Sequence, residues 1–156
     1  MREHLSGTVL TDWSATAVAE PLVRPLVIRL VGVDPGPLHH HCPFCGSAEH
    51  GRPYVDAPVD VSVAHAPGLT LVAVSSAGRV GVDLDADGDD AWVLREAVGK
   101  AQGTGIITDG MPDPRWHAVL DVPDHRAVVA LLSDQAAAAG QRGTASSRTA
   151  HRGPRR

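Results

Sequence analysis

The chain has 156 residues, 43% of them hydrophobic, which is enough for one compact domain with a modest core and too little for a second full domain. The formal net charge is -4, but the last sixteen residues hold five arginines and no acid, which leaves -9 on the rest of the chain. An acidic body excludes nucleic acid as the main partner, because such binding needs a cationic face that releases counterions from phosphates.

The sequence carries no membrane or export signal. No stretch approaches the roughly 18 apolar residues of a membrane span. Residues 1–20 also lack the continuous apolar region of a signal peptide. We therefore expect a cytoplasmic protein that has no membrane partner.

Residues 1–58 predict little regular structure. Residues 1–20 show no clear periodicity, and prolines interrupt the apolar run that follows, which confines any helix to about 25–32. The region 35–58 is rich in proline, glycine, histidine and cysteine and predicts a loop.

Three strands in an antiparallel meander are predicted next. Apolar and polar residues alternate over about 59–64, 69–75 and 79–85, and the turn signals Pro67-Gly68 and Ala77-Gly78 separate these runs. The following sequence, DDAWVLREAVGKAQG, predicts a helix, because aspartate at the start and Gly103 at the end are typical helix boundaries.

Two further strands, WHAVLDVP and HRAVVALLS, are predicted around the turn Pro123-Asp124. The fold class is thus α+β, with a small antiparallel sheet packed against one long helix. We assign residues 1–136 to a single domain. Residues 137–156 have too few large apolar side chains to pack and predict a disordered, arginine-rich tail. The sequence shows no internal repeat.

Five aspartates fall within residues 83–90 and suggest a cation site. Asp83, Asp85, Asp87 and Gly88 match the opening of an EF-hand loop. The twelfth position, however, is Leu94 instead of the bidentate glutamate, and the preceding segment predicts a strand where a helix is required. An EF-hand is therefore disfavoured, while another kind of calcium loop and a solvated acidic turn remain alternatives.

The strand and helix around this acidic stretch suggest a second kind of cation site. Asp83 and Asp85 are two apart and share a strand face, while Glu96 and Lys100 are four apart and share a helix face. If the helix packs beside the strand end, three carboxylates and an ammonium converge, which suits magnesium and a phosphate.

The plainer interpretation of Glu96 and Lys100 is a surface ion pair worth roughly 0.3–0.5 kcal/mol. The chain, however, has thirteen arginines and a single lysine, Lys100. An arginine would serve equally well in a surface pair. Unlike arginine, lysine has a pKa that its surroundings can lower into the range needed for proton transfer. The use of lysine at position 100 therefore favours a functional role.

Four short motifs follow one another within about residues 40–105. They are Gly51-Arg52-Pro53, Ala64-His65-Ala66, GVDLD at 81–85 and WVLREAVGK at 92–100. In this order they resemble the Sfp-type 4'-phosphopantetheinyl transferases, whose members carry glycine-lysine/arginine-proline, serine-histidine, glycine-x-aspartate-x-glutamate and tryptophan-x-x-lysine-glutamate-alanine-x-x-x-lysine motifs. CPFCGSAEHGRP also resembles a stretch common in actinobacterial members, and DHRAVVALLS resembles the family's closing strand.

The resemblance implies a reaction and a metal. The reaction is magnesium-dependent transfer of 4'-phosphopantetheine from coenzyme A to a serine of an apo acyl or peptidyl carrier protein, in secondary metabolism, with release of 3',5'-ADP. Asp83, Asp85 and Glu96 are the implied magnesium ligands. The implied catalytic residues are Asp83, His65, Glu96 and Lys100, with Glu96 or Lys100 taking the serine proton.

The resemblance also implies how coenzyme A is bound. His65 and Lys100 would contact its phosphates, and Arg52 with Pro53 would contact its nucleotide end. Family members contain two similar halves around a pseudo-twofold axis. This chain would hold a shrunken pair of halves, or a second copy would complete the cleft in a homo-oligomer.

Departures from the family pattern keep two alternatives open. Asp85 stands in place of glutamate, alanines flank His65, and Arg95 replaces a lysine. Only six residues separate Asp85 from Trp92, where the family has some tens of residues that include a partner-docking loop. The alternatives are a diverged member of the fold that has lost or changed the transfer, and a small metal-binding protein without catalysis.

Two cysteines raise the question of zinc. Cys42 and Cys45 are followed by His50, with His39 and His41 upstream, so two thiolates and two imidazoles could complete a tetrahedral site. A second cysteine pair, common in structural zinc sites, is missing. The sequence therefore favours free thiols in a reducing compartment over zinc.

Overall fold

The computed structural model of the chain describes residues 1–42, 44–105 and 110–133. The predicted disordered tail at 137–156 lies outside the described residues. The helices and strands are β1 (Arg2–His4), β2 (Val9–Ser14), α1 (Glu20–Val31), β3 (His39–His41), β4 (Arg52–Tyr54), β5 (Asp60–Ala66), β6 (Leu69–Ser75), β7 (Val80–Asp85), α2 (Asp90–Gln102), β8 (Trp116–Val122) and β9 (His125–Leu131).

Two antiparallel sheets pack face to face, and each carries one helix on its outer face. The four-stranded sheet has the order β1-β2-β6-β5 and the three-stranded sheet β7-β9-β8. Apolar residues of both sheets form the core between them, α1 covers the far side of the first sheet, and α2 covers the far side of the second. Strand β6 is buried along its whole length because both of its faces are covered.

The two halves of the chain have the same topology. Apart from the short strands β3 and β4 between α1 and β5, the first half runs β2, α1, β5, β6, and its strands lie in the order β2-β6-β5. Strand β7, helix α2 and strands β8 and β9 repeat this plan in the order β7-β9-β8. The sequence shows no repeat, so the halves share a topology that their residues do not reveal.

Side chains of β5 join the edges of the two sheets. Asp60 Oδ2 accepts the backbone N–H of Val80 at 2.7 Å, and Ser62 Oγ accepts that of Val82 at 3.0 Å. These bonds satisfy amide groups of β7 that its sheet partner β9 does not reach from the other side. Strand β7 is thereby held beside β5, and the ends of both strands lie near each other.

The α+β class is confirmed, and several predicted elements are confirmed with small shifts. Strands β5, β6, β8 and β9 and helix α2 lie where the sequence predicts them, and Gly103 ends α2 in the left-handed conformation with φ 78°. The single long helix is wrong, because α1 is a second helix of similar length. None of the helices in the described ranges has the length and apolar character to cross a membrane.

Other expectations are corrected. The predicted meander is wrong, because β7 pairs with β9 and begins the second sheet instead of continuing from β6. Helix α1 begins well before the predicted start at residue 25, since Pro21 lies in its first turn and Pro25 lies on its exposed face. Strands β1 to β4 fall in segments predicted as irregular.

Candidate functional site

The two faces of β7 pack against different parts of the protein. Val80, Val82 and Leu84 point into the core between the sheets, so the alternate residues Gly81 and Asp83 face α2. Gly81 allows the helix to come close, since a Cβ built there would lie 1.8 Å from the carbonyl oxygen of Ala97. Any larger residue would push α2 away from the strand.

Helix α2 brings its functional side chains to this strand. Asp89 is the N-cap and accepts a hydrogen bond from the backbone N–H of Trp92 at 2.8 Å. Val93, Ala97 and Ala101 are buried against the second sheet. Glu96 and Lys100 flank this buried stripe and are partly exposed, at its border with Asp83.

Asp83 is the buried centre of the candidate site, which we call the acidic corner: Asp83, Glu96 and Lys100. Asp83 is only 5% exposed, and its Oδ1 accepts a hydrogen bond from Lys100 Nζ at 2.6 Å. Its Oδ2 is buried and has no hydrogen-bond partner within the described part of the chain. A buried oxygen without a hydrogen-bond partner lowers folding stability by about 1–3 kcal/mol, and by more when it is charged. A proton or a cation bound at Asp83 Oδ2 would remove this penalty.

Glu96 shares the acidic corner with a like charge. Its pKa is raised from 4.5 to about 7, first by a hydrogen bond to Asp83 and then by burial and the negative charges of Asp83 and Asp85, while Lys100 opposes the shift. Two ionised carboxylates offer each other no hydrogen, so this bond exists only when Glu96 carries the proton.

Asp85, the third predicted magnesium ligand, lies less close. Its Oδ1 accepts the backbone N–H of Asp87 at 2.9 Å, and its side chain lies against Gly88 in the turn before α2. Within the described ranges, no trio of carboxylate oxygens from Asp83, Asp85 and Glu96 lies mutually within 4.8 Å. The structure therefore brings Asp83, Glu96 and Lys100 together and leaves Asp85 at the rim.

His65 lies at the end of β5, on the neighbouring strand. Its Nδ1 lies 2.9 Å from Thr70 Oγ1, and the Thr70 hydroxyl donates to the carbonyl of Thr16. His65 Nδ1 must then be the donor, and Nε2 of the neutral imidazole carries a lone pair instead of a hydrogen. Burial, and after it the charges of Lys100 and His40, lower the pKa of His65, so both residues lie near it. Thr70 and His40 carried no signal in the sequence.

Arg52 is engaged within the chain. Its guanidinium donates to the backbone carbonyls of Lys100 and Ala101 at the end of α2 and to Asp60 and the carbonyl of Val80. A cation on the last carbonyls of a helix satisfies orphan acceptors and suits the helix dipole. Arg52 thus links β4 to α2, and its predicted contact with a nucleotide stays a prediction, as does that of Pro53.

Trp92, the first residue of the helix motif, lies at the protein surface. It is 43% exposed at the start of α2, three residues after the N-cap. The buried contacts of the first helical turn come instead from Val93. The indole is therefore available to solvent or to a partner.

A second group of candidate ligands lies between β3 and β4. Atoms of Cys42, Cys45 and His50 all lie within 4.8 Å of one another, so this group could hold a metal ion. His39 and His41, also considered as ligands, do not belong to the group. Backbone N–H groups of Cys45 and Phe44 donate to the Cys42 sulfur and lower the pKa of its thiol.

Comparisons of the chain with protein-family models, with curated proteins and with solved structures found no match.

Proposed function

We propose that this protein transfers the 4'-phosphopantetheine arm of coenzyme A to a serine of an apo acyl or peptidyl carrier protein, with magnesium at the acidic corner. The observation that carries the proposal is Asp83 Oδ2, a buried carboxylate oxygen with no partner in the described residues, beside Glu96. A divalent cation between the two carboxylates would replace the proton that Glu96 otherwise needs.

The side chains around this position suit a pyrophosphate substrate. Lys100 holds Asp83 through Oδ1 and keeps two donors for phosphate oxygens, and its side chain is 36% exposed. His65 Nε2 can donate to a phosphate oxygen only when the imidazole carries a second proton, which a bound anion favours. The Lys100 ammonium, His65 and both carboxylates lie where the two halves of the chain adjoin, which supports a cleft between similar halves.

The chemistry asked of these residues is modest. The serine Oγ forms a bond to the phosphorus that carries the pantetheine arm, the bond from that phosphorus to the bridging oxygen breaks, and 3',5'-ADP leaves with the electron pair. Glu96 or Lys100 accepts the serine proton, as the sequence motif implies, and the pKa of about 7 belongs to Glu96 without a bound cation. Magnesium bound by Asp83 and Glu96 would neutralise charge on the pyrophosphate oxygens.

A second candidate is a member of the same fold that binds magnesium and coenzyme A without transferring the arm. Two observations favour it. Only residues 86–89 separate β7 from α2, so no docking segment for a carrier protein lies there. Asp85 also folds back onto its own turn and leaves the cation with fewer protein ligands.

The test is incubation of the protein with coenzyme A, magnesium and apo carrier proteins encoded near it, followed by intact mass measurement of each carrier. The proposal predicts a gain equal to one phosphopantetheine arm, and loss of that gain in Glu96→Gln. A gain that persists in Glu96→Gln would show that the site is wrong. Coenzyme A binding with no gain on any neighbouring carrier would favour the second candidate.

A further inference from the structure

Cys42 and residues 44–50, here called the knuckle, lie between β3 and β4 and are joined by backbone hydrogen bonds. Cys42 N–H donates to the carbonyl of Ser47 at 3.0 Å, and Gly46 N–H donates to the carbonyl of Cys42 at 2.8 Å. Gly46 has φ 74°, in the left-handed region that favours glycine. These bonds fix the backbone so that both cysteine side chains turn to one side.

The ligand atoms of the knuckle have the spacing of a tetrahedral site. Zinc bonds of about 2.3 Å to sulfur and about 2.0 Å to nitrogen give a sulfur-to-nitrogen edge of roughly 3.5 Å in a tetrahedron. Cys45 Sγ lies 3.4 Å from His50 Nε2, and the Cys42 ligand atom completes a trio within 4.8 Å. Hydrogen bonds between the two thiols and from a thiol to the imidazole account for the contacts pair by pair, whereas one metal ion accounts for the convergence of all three atoms.

We propose that Cys42, Cys45 and His50 bind one Zn²⁺ ion. Two thiolates and an imidazole are soft and borderline ligands, which select zinc over magnesium or calcium. Two thiolates also neutralise the charge of the ion. Cys45 and His50 are exposed, so the fourth ligand comes from solvent, while Cys42 is buried and anchors the site to the fold.

Strands β3 and β4 flank the knuckle and form a two-stranded ribbon that a bound metal would stabilise. Strands β3 and β4 pair over only three residues each, and an isolated two-stranded ribbon is marginal at best in water. Gly51 lies against the carbonyl of His41 at the ribbon's end, where a Cβ would lie 2.3 Å from that oxygen. A metal that joins Cys42 to His50 holds these two ends together.

A metal ion at the knuckle would also affect how α2 is held in the fold. His41 and Arg52 are paired in the ribbon, directly beside the knuckle, and Arg52 donates to carbonyls at the end of α2. Binding energy at a site that exists only in the folded chain adds to folding stability. Zinc therefore stabilises the ribbon and, through it, the attachment of Arg52 to the helix that carries Lys100.

The proposal is tested on untagged protein purified without a nickel column. The zinc content should be one ion per chain, and a chelator should lower the melting temperature. Refilling the chelated protein with Co²⁺ should produce thiolate-to-cobalt charge-transfer absorption in the near ultraviolet.

Cys45→Ser and His50→Gln should each weaken cobalt binding by more than the roughly 10–100-fold that loss of an outer-shell partner costs. Both positions are exposed, so the fold survives the change, as far-ultraviolet circular dichroism will show.

His41→Ala is the matched control, since this exposed histidine adjoins Cys42 and stands outside the ligand group. Its cobalt affinity should equal that of the unaltered chain. Cobalt binding without a thiolate charge-transfer band would overturn the proposal. So would zinc far below one ion per chain together with rapid alkylation of both thiols in the native, reduced protein, or a loss in His41→Ala as large as in Cys45→Ser.

Discussion

Lys100 Nζ lies 2.6 Å from Asp83 Oδ1, while the other oxygen of the same buried carboxylate has no partner in the described residues. The ammonium compensates part of the negative charge at the acidic corner and leaves the rest facing Glu96. The pair spans seventeen residues of sequence and joins β7 to α2. This relationship between a strand end and a helix flank is the basis of the predictions that follow.

The stability of the metal-free protein should fall as pH rises from about 4.5 to about 7. The folded-state pKa of Glu96 is about 7, above its ordinary value of 4.5, so the folded chain binds the proton more tightly than the unfolded chain. Stability must then decrease with pH across this window and stop decreasing above it. Because Glu96 is partly exposed, we expect the melting temperature to drop by a few degrees only.

Glu96→Gln should remove most of this pH dependence, because the amide neither titrates nor repels Asp83. Saturating magnesium should raise the melting temperature of the unaltered protein more at pH 8 than at pH 5, since the cation competes with the proton. Thermal unfolding over this pH range measures both effects. An unchanged slope in Glu96→Gln would assign the titration to another group.

Gly81→Ala should destabilise the fold and open the acidic corner. The added Cβ would meet the Ala97 carbonyl at 1.8 Å, so α2 must shift away from β7. We expect the free energy of unfolding to fall by at least about 1–3 kcal/mol, the usual range for overpacking. Denaturant unfolding measures this, with Ala91→Ser on the exposed start of α2 as the control. Stability equal to that of the unaltered chain would contradict the close approach of strand and helix.

His65→Ala should weaken coenzyme A binding by roughly tenfold or more, which corresponds to loss of one hydrogen bond to a charged group. The matched control is His117→Ala, an exposed histidine on β8. Calorimetric titration with coenzyme A in the presence of magnesium measures the affinity. Equal affinities of the two variants would remove His65 from the coenzyme site.

Arg52→Gln should lower the free energy of unfolding by about 1–3 kcal/mol, because Asp60 and the last carbonyls of α2 lose a charged donor. Denaturant unfolding and coenzyme A titration of the same variant separate the two roles of this arginine. A variant of unchanged stability that binds coenzyme A more weakly would restore the nucleotide contact implied by the sequence motif and reject the internal role.

Local patterns predicted most of the elements from β5 to β9. The alternation in β5 to β9 marked strands, and Asp89 and Gly103 marked the ends of α2, because these signals depend on neighbouring residues only. The partner of β7 was not predictable in the same way. Alternation shows which face of a strand is buried, whereas pairing with β9 depends on residues far along the chain.

The candidate site was predictable in part for similar reasons. The motif spacing placed Asp83 near Glu96 and Lys100, as the acidic corner now shows in geometric detail. Asp85 turns toward its own loop because its carboxylate accepts the backbone N–H of Asp87, two residues later. The sequence spacing showed that Asp83 and Asp85 share a strand face, but it did not indicate this local hydrogen bond. The internal bonds of Arg52 involve backbone carbonyls of α2, which no sequence pattern marks.

The most direct test of the acidic corner is Mn²⁺ binding in the presence of coenzyme A, measured by electron paramagnetic resonance on protein with its thiols blocked. The account predicts one bound Mn²⁺ per chain that is lost in Asp83→Asn. It should be retained in Asp87→Asn, which removes an exposed acid from the same stretch. Equal Mn²⁺ binding by the two variants, or no bound Mn²⁺ in the unaltered chain, would contradict a cation site at Asp83 and Glu96.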